Sequence, residues 1–197
     1  MHLMSLIHVI VLLAVSGLLP VTAASYQSGS PLDTWNTTDA NWDTGLWPNT
    51  LTTRAVFAGT GEELAVGTVN SGAITFDSAN FVLLGGTIAI GQPTITTNQN
   101  ATITSALTGS AGLTKTGAGK LTLTGASSFA GNSAVAAGTL EFSGTGGKSG
   151  NGYINVSGTP ADNPILAINT SGTVTAGSGS PVGLHVATGL GTVGALD

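Results

Sequence analysis

The chain has no cysteine, and only four of its 197 residues are lysine or arginine. The absence of cysteine excludes a disulfide framework and any thiolate metal site. Four basic side chains are too few to neutralise a nucleic-acid backbone, and the net charge of −5 opposes phosphate binding. Charged residues make up 7% of the chain, against about 25% in an ordinary globular domain. We therefore predict no nucleic-acid partner and a fold held by hydrogen-bond ladders and apolar rows.

Glycine and short alternating runs take the place of charge. The chain contains 30 glycines, and residues 112–144 read GLTKTGAGKLTLTGASSFAGNSAVAAGTLEFSG. Each run alternates apolar with small or hydroxyl side chains, which is the two-residue period of a strand with one buried face. No run is long enough to be stable alone, so the strands must stack on copies of themselves. The pattern predicts an all-β repeat structure.

Internal comparison indicates the length of one repeat. Thr94 recurs as Thr114, and Thr102 recurs as Thr122, both twenty positions later. This spacing fits one coil of a β-solenoid. The register is not clean in the residues before or after these two copies.

The alternation also predicts which residues point inward. The candidate strands are 54–57, 63–69, 73–76, 81–84, 87–90, 94–97, 101–104, 113–116, 120–124, 133–136 and 139–142. Their expected inward row includes Ile95, Ile103, Leu121, Leu123, Val135, Leu140 and Phe142. Lys115 shares the parity of Leu113, and we expect it at a corner with its ammonium group reaching solvent.

An apolar run over residues 3–19 precedes Pro20 and a stretch of small residues. This layout is typical of a secretory signal peptide cleaved near Ala23 or Ala24. The alternative is an uncleaved N-terminal membrane anchor, because the run is close to the length that spans a bilayer. The predicted division is a signal peptide at 1–23, a Trp-containing cap segment at 24–53 and a β-helix repeat region at 54–197 that continues beyond the chain end.

The cap segment contains all three tryptophans, Trp35, Trp42 and Trp47. Flat aromatic faces with nearby Asp and Asn acceptors suit a sugar ring, so these residues are candidate glycan contacts. The competing interpretation is an aromatic lid over the open end of the solenoid core. We favour the lid.

Groups for catalysis are sparse. Two of the three histidines fall in the signal segment, which leaves His185 without a partner for a nucleophile triad. Asp33, Asp39 and Asp43 could bind calcium in principle, but their spacing matches neither an EF-hand nor the calcium-binding nonapeptide repeat. We predict no catalytic residue, no metal site and no cofactor.

The string Gly112–Ala126, followed by Ala137–Leu140, resembles the passenger-associated β-strand repeat of autotransporters. The resemblance implies a right-handed, single-stranded parallel β-helix that is secreted or displayed at the outer membrane of a Gram-negative-type bacterium. The repeat is a scaffold, so no catalytic residue transfers with it. Phe129 stands where the family usually has Tyr, and no segment resembles a translocator barrel. Membrane attachment would then require a translocator or anchor absent from this chain.

Three functions remain open. The first is a structural or adhesive passenger segment without enzyme activity, with surface glycans or other cell-surface proteins as partners. The second is a ligand-binding module, either for glycans through the Trp cluster or for ice through the Thr rows. The third is a polysaccharide-degrading β-helix enzyme, which would need carboxylates gathered on one face. The scarcity of ionisable groups favours the first.

Overall fold

The computed structural model describes residues 23–27, 33–175 and 184–186, the last group by backbone alone. Every regular element in these ranges is a β-strand. None of these residues belongs to a helix long and apolar enough to cross a bilayer. The predicted signal helix falls outside the described residues.

Twenty strands follow one another along the described residues. They are β1 (Ala23–Ser25), β2 (Thr34–Trp35), β3 (Arg54–Phe57), β4 (Glu63–Val66), β5 (Thr68–Ser71), β6 (Ile74–Phe76), β7 (Phe81–Leu84), β8 (Thr87–Ile90), β9 (Thr94–Thr97), β10 (Ala101–Ile103), β11 (Ala106–Gly109), β12 (Thr114–Thr116), β13 (Lys120–Leu123), β14 (Ala126–Phe129), β15 (Ser133–Val135), β16 (Thr139–Gly144), β17 (Gly147–Ser149), β18 (Ile154–Val156), β19 (Ile165–Thr170) and β20 (Leu184–Val186).

The strands form three parallel sheets, and the chain visits them in turn. Sheet 1 has the order β1-β3-β6-β9-β12-β15-β18-β20, sheet 2 the order β2-β4-β7-β10-β13-β16-β19, and sheet 3 the order β5-β8-β11-β14-β17. Five coils carry a strand in all three sheets: coil 1 (β3–β5), coil 2 (β6–β8), coil 3 (β9–β11), coil 4 (β12–β14) and coil 5 (β15–β17). The protein is therefore a parallel β-solenoid, as the alternating runs predicted.

The predicted repeat length is confirmed where the sequence showed it. Thr114 lies beside Thr94 and Thr122 beside Thr102 in neighbouring strands. Between other strands of coils 1 to 5 the step varies from 19 residues, as from Ile88 to Leu107, to 21, as from Ala126 to Gly147. It reaches 26 residues from Leu140 to Leu166. These changes occur in the segments between strands, and they explain why a fixed period was lost outside the two clean copies.

Inward side chains stack in columns along the axis. The expected inward row is confirmed, because each of its members is at most 1% exposed: Ile95, Ile103, Leu121, Leu123, Val135, Leu140 and Phe142. One column of sheet 2 runs through Leu64, Leu83, Ile103, Leu123 and Phe142. Aliphatic contacts between successive coils thus supply most of the core.

The two ends of the stack differ in their cover. At the N-terminal end, β1 pairs with β3 and β2 pairs with β4. The strands before Arg54 therefore extend sheets 1 and 2 by one strand beyond coil 1. At the other end β19 is the last described strand of sheet 2, and its Ile165 and Ile168 are 43% and 44% exposed. The core is closed by aromatic residues at the first end.

Candidate functional site

The three tryptophans lie inside an aromatic cluster at the N-terminal end. Trp35 is 0% exposed, and Trp42 and Trp47 are each 3% exposed. The ring centroids of Trp42 and Trp47 are 4.4 Å apart, and those of Trp35 and Trp47 are 5.2 Å apart in an edge-on arrangement. None of the three rings offers a flat face to solvent. This burial supports the lid, and the predicted glycan contact through these rings has no support in this geometry.

The lid is continuous with the core of the first coils. Trp35 packs edge-on against Phe57 with centroids 5.4 Å apart, and Phe57 stacks on Phe76 at 5.1 Å. Tyr26 packs between Trp42 and Phe57 at 5.6 and 5.8 Å. Burial and the nearby Glu62 carboxylate raise the pKa of the Tyr26 phenol above its ordinary value. Aromatic rings thus cover Phe57 at the end where the described residues form no further coil.

The loop that carries Trp47 also protects the edge of sheet 3. The Trp47 indole N–H donates to the carbonyl of Asn70 at 2.8 Å, and the Asn70 amide donates to the Asn49 side chain at 2.6 Å. Asn70 lies on β5, the first described strand of sheet 3, and none of the described strands before it pairs with it. The loop therefore satisfies backbone groups that an open edge would expose to other chains.

The carboxylates of the cap are occupied by hydrogen bonds within it. Asp39 accepts from Thr34 and Asn36, each at 2.6 Å, and these bonds hold the pKa of its carboxyl below the ordinary value. Asp43 accepts from the backbone N–H of Ser25 at 2.9 Å. Within the described part of the chain, no three His, Cys, Asp or Glu residues gather as a metal-binding group would. Asp39 and Asp43 therefore act as turn-forming acceptors here.

Lys115 corrects one expectation from the sequence. Its side chain is 0% exposed, although the ammonium group was expected to reach solvent. The Nζ atom donates to the carbonyls of Thr116 at 2.8 Å, Gly117 at 2.8 Å and Ala137 at 3.0 Å. Burial lowers the pKa of Lys115 to about 8. The expectation failed because backbone carbonyls at the corner replace water as acceptors.

Lys148 repeats this arrangement one coil later. It is 1% exposed, and its Nζ donates to the carbonyls of Gly152 at 3.0 Å and Thr175 at 3.1 Å. Burial lowers its pKa as well. Sequence reasoning had no signal for Lys148, because its strand is short and flanked by glycines. Half of the lysines and arginines in the chain are thus withdrawn from the surface.

The outer faces carry hydroxyl and amide groups with little charge. The hydroxyls of Thr96 and Thr116 lie 2.8 Å apart on sheet 1. On sheet 2, Lys120 forms a salt bridge of 2.9 Å with Glu141, and the lysine is 47% exposed. A shallow groove runs between Leu51 and the outer face of sheet 3. These surfaces suit contacts made by many weak hydrogen bonds.

Together the three sheets and the aromatic lid define a capped parallel β-solenoid. Residues 113–142 match the family described as the passenger-associated-transport repeat. These residues form β12 to β15 and the start of β16, so the matched repeat makes all of coil 4 and enters coil 5. The resemblance drawn from the residues is confirmed: the chain carries an autotransporter passenger repeat.

A curated relative extends this similarity. The chain is 38% identical over 119 residues to the adhesin BmaC autotransporter of Brucella suis biovar 1 (strain 1330). The match covers 54% of this chain and 4% of that protein. No solved structure matches the chain. The similarity thus extends well beyond the single matched repeat, but the chain spans a small part of the relative's length.

Proposed function

We propose that the chain is a structural and adhesive passenger segment of an autotransporter-like protein, secreted or displayed at the outer membrane of a Gram-negative-type bacterium. The observation that carries the proposal is the place of the passenger repeat: residues 113–142 form coil 4 within an unbroken parallel stack. A repeat in this position is part of a scaffold. The name of the BmaC relative adds adhesion to that scaffold role.

A rod of this kind holds surfaces away from the cell. The eight strands of sheet 1 at a spacing of about 4.8 Å give a stack about 34 Å long. We take its winding to be right-handed, because crossover connections between parallel strands of one sheet are right-handed in about 98% of cases. Continuous pairing of each strand with the strands of neighbouring coils makes such a rod stiff.

The partners that fit this surface are cell-surface glycans or other cell-surface proteins. Thr rows such as Thr102 beside Thr122 present hydroxyls that donate and accept hydrogen bonds. Uncharged hydroxyl rows match sugar hydroxyls and peptide edges better than they match phosphates. The outer faces of the sheets would then bind the partner, whereas the buried tryptophans would only stabilise the N-terminal end of the fold.

Display at the surface is tested with antibodies raised against the chain. Intact cells of the native bacterium should bind them as strongly as cells with a permeabilised outer membrane. Labelling that requires permeabilisation would contradict display.

Adhesion is tested with beads that carry the full chain. Coated beads should bind to immobilised cell-surface glycoproteins several-fold more than uncoated beads. Beads that carry Leu123→Asp, which disrupts the core, should lose this binding, whereas Lys120→Met should keep it. Equal binding of coated and bare beads would contradict the adhesive role, but it would be compatible with the scaffold role.

A further inference from the structure

A lysine occupies a position that otherwise belongs to aliphatic residues. In sheet 1 the inward column runs through Ile74, Ile95, Lys115, Val135 and Val156. Lys115 is as fully buried as its neighbours Ile95 and Val135. A buried lysine is costly unless its ammonium group is fully hydrogen-bonded. Its presence in an aliphatic column therefore calls for a role beyond filling space.

The ammonium group is matched to its surroundings. It has three protons, and three carbonyl oxygens lie within 3.0 Å of Nζ. Two of these carbonyls, from Thr116 and Gly117, belong to the lysine's own coil, and the third, from Ala137, belongs to the next coil. The side chain therefore ties coil 4 to coil 5 at the corner between sheets 1 and 2.

The same corner is filled differently in earlier coils. Phe57 pairs with Phe76, and Phe76 pairs with Thr97, so the side chain at this corner becomes smaller along the axis. Gly117 follows β12 at the same corner with a φ of +78°, and a Cβ there would lie 2.5 Å from the Thr97 carbonyl oxygen. A side chain at Gly117 would therefore clash with the backbone of coil 3. Gly117 contributes to the lysine site through its carbonyl, which accepts from Nζ at 2.8 Å.

Aliphatic columns alone select the register weakly. A slip of one residue turns every side chain to the wrong face, but a slip of two residues keeps the alternation. After a two-residue slip, Lys115 would face Ala137 in place of Val135. Ala137 is also a small apolar residue, so the packing of apolar side chains alone would tolerate the slip. The Ala137 carbonyl would move by about 6.6 Å, beyond the reach of Nζ. Thr139, which would take its place, belongs to β16, and its backbone is engaged in pairing with β19.

We infer that Lys115 is a register pin: its ammonium group selects the native alignment of coil 5 on coil 4 through carbonyls of both coils. A buried polar group that specifies register at some cost in stability is known from coiled coils. Lys148 makes the same kind of contact one coil later. One of its acceptors, the Gly152 carbonyl, lies at the corner after its own strand, and the other, the Thr175 carbonyl, lies in the following coil. Two successive coil junctions are therefore pinned.

The pin is tested with cysteine pairs in the full chain, which has no cysteine of its own. Thr114→Cys with Ala134→Cys reports the native register, because these residues are direct neighbours. Thr114→Cys with Ala136→Cys reports the two-residue slip, because in the native register this diagonal pair is too far apart to bridge without backbone movement. Both pairs point outward, so the substitutions leave the core unchanged.

We expect the native pair to dominate after refolding and oxidation of the otherwise unchanged chain. In Lys115→Met the disulfide of the slipped pair should rise roughly tenfold, which is the effect of losing one charge-assisted hydrogen bond that favours the native register. Lys120→Met is the matched control, because Lys120 belongs to the same repeat but lies exposed outside the core. It should leave the ratio of the two disulfides unchanged.

The test has a separate measure of folding. The pair Thr75→Cys with Thr96→Cys lies across the junction of coils 2 and 3 and should oxidise in every background. A folded Lys115→Met with the disulfide ratio of the unsubstituted chain would overturn the inference. Loss of both the Thr75–Thr96 disulfide and the β signal in circular dichroism would also count against it, because the lysine would then be needed for stability as a whole.

Discussion

The N-terminal end and the passenger repeat fill the same coil cross-section with different chemistry. In coils 1 and 2, the corner between sheets 1 and 2 holds Phe57 and Phe76, whose rings stack 5.1 Å apart. In coil 4 the same corner holds Gly117 and the ammonium group of Lys115. The first solution is a dry aromatic contact, and the second is a set of charge-assisted hydrogen bonds.

This difference shows that a solenoid coil can vary its interior without changing its outline. Aromatic rings remove a large area from water and suit an end that no further coil covers. The lysine buries less apolar area, but its hydrogen bonds favour one alignment of the next coil. This alignment needs selection because similar apolar columns in successive coils would also allow a shift of two residues. The aromatic residues thus cover the core at the N-terminal end, whereas the buried lysine fixes the alignment of successive coils in the middle of the stack.

The largest effect should come from a charge placed in the aliphatic core of the repeat. Leu123→Asp would bury an unpaired carboxylate between Ile103 and Phe142, and we expect a loss of more than about 4 kcal/mol in the free energy of unfolding. Thr102→Asp, on the outer face of the same sheet, should change it by less than about 1 kcal/mol. Urea denaturation followed by circular dichroism measures both. Equal effects would mean that the inward and outward faces are misassigned.

The aromatic end can be broken separately. Phe57→Ala removes the ring that contacts the lid and Phe76, and should cost about 3–5 kcal/mol. All three tryptophans lie in the cap, so their fluorescence reports the cap while circular dichroism reports the whole stack. We expect the fluorescence transition of Phe57→Ala to precede the dichroism transition. Val56→Ala, on the outward face of the same strand, is the control, and coincident transitions in Phe57→Ala would show that the cap and the coils unfold together.

The buried lysine should give the repeat a distinct dependence on pH. Its pKa is about 8 in the folded protein, against an ordinary value of 10.5 that applies to the unfolded chain. Between these values the unfolded chain binds more protons, so the free energy of unfolding rises with pH. Between pH 8 and 10.5, the free energy of unfolding of the native chain should rise by about 1–3 kcal/mol relative to that of Lys115→Met. Parallel urea titrations of the two proteins measure the gain, and an unchanged difference would mean that the ammonium group is not buried.

The protection of the sheet 3 edge should depend on one side chain in the cap loop. Asn49→Gly keeps the backbone conformation, whose φ is +54°, but removes the acceptor for the Asn70 amide. Hydrogen exchange at Asn70 should become roughly fivefold faster, as expected for a hydrogen bond of about 1 kcal/mol. Exchange at the Thr114 amide in coil 4, which donates to Pro93, should stay the same and serves as the control.

The smallest effect should come from the exposed salt bridge of the repeat. Lys120→Met removes the contact with Glu141, and we expect a change of less than about 1 kcal/mol, which shrinks further in high salt. Thermal unfolding at low and high salt measures it. A large loss would mean that the outer charges, as well as the buried lysines, hold the coils together.

In coils 1 to 5 the strands of sheets 1 and 2 were largely predictable from the sequence. In sheet 3 only β8 was predicted at its full length, and the predicted strand 63–69 is in fact β4 followed by the start of β5. Predicted strands such as 54–57 and 81–84 agree with the structure residue for residue. The strands β11 and β14 were missed, because each has one large apolar side chain among small ones. A run of that kind has too little alternation to indicate a strand, and it becomes one when Leu107 or Phe129 finds its place in the stack.

The lysine shows the limit of alternation in another way. Parity placed Lys115 on the inward face, which is correct, but the usual cost of burial suggested that its head group would turn to water. The carbonyls that replace water come from Thr116, Gly117 and Ala137, and the last is 22 positions away. Local patterns do not report acceptors supplied by another coil.

Alternation and glycine spacing were enough to predict an all-β solenoid and its twenty-residue coil, because these follow from local geometry repeated along the chain. The passenger repeat was indicated by the resemblance of Gly112–Ala126 to a known motif. The contacts that bury the three tryptophans of the predicted lid, and the burial of two lysines, were decided only in the folded stack. Both depend on neighbours in other coils, where the partner of a side chain is set by the register of the sheets rather than by distance along the sequence.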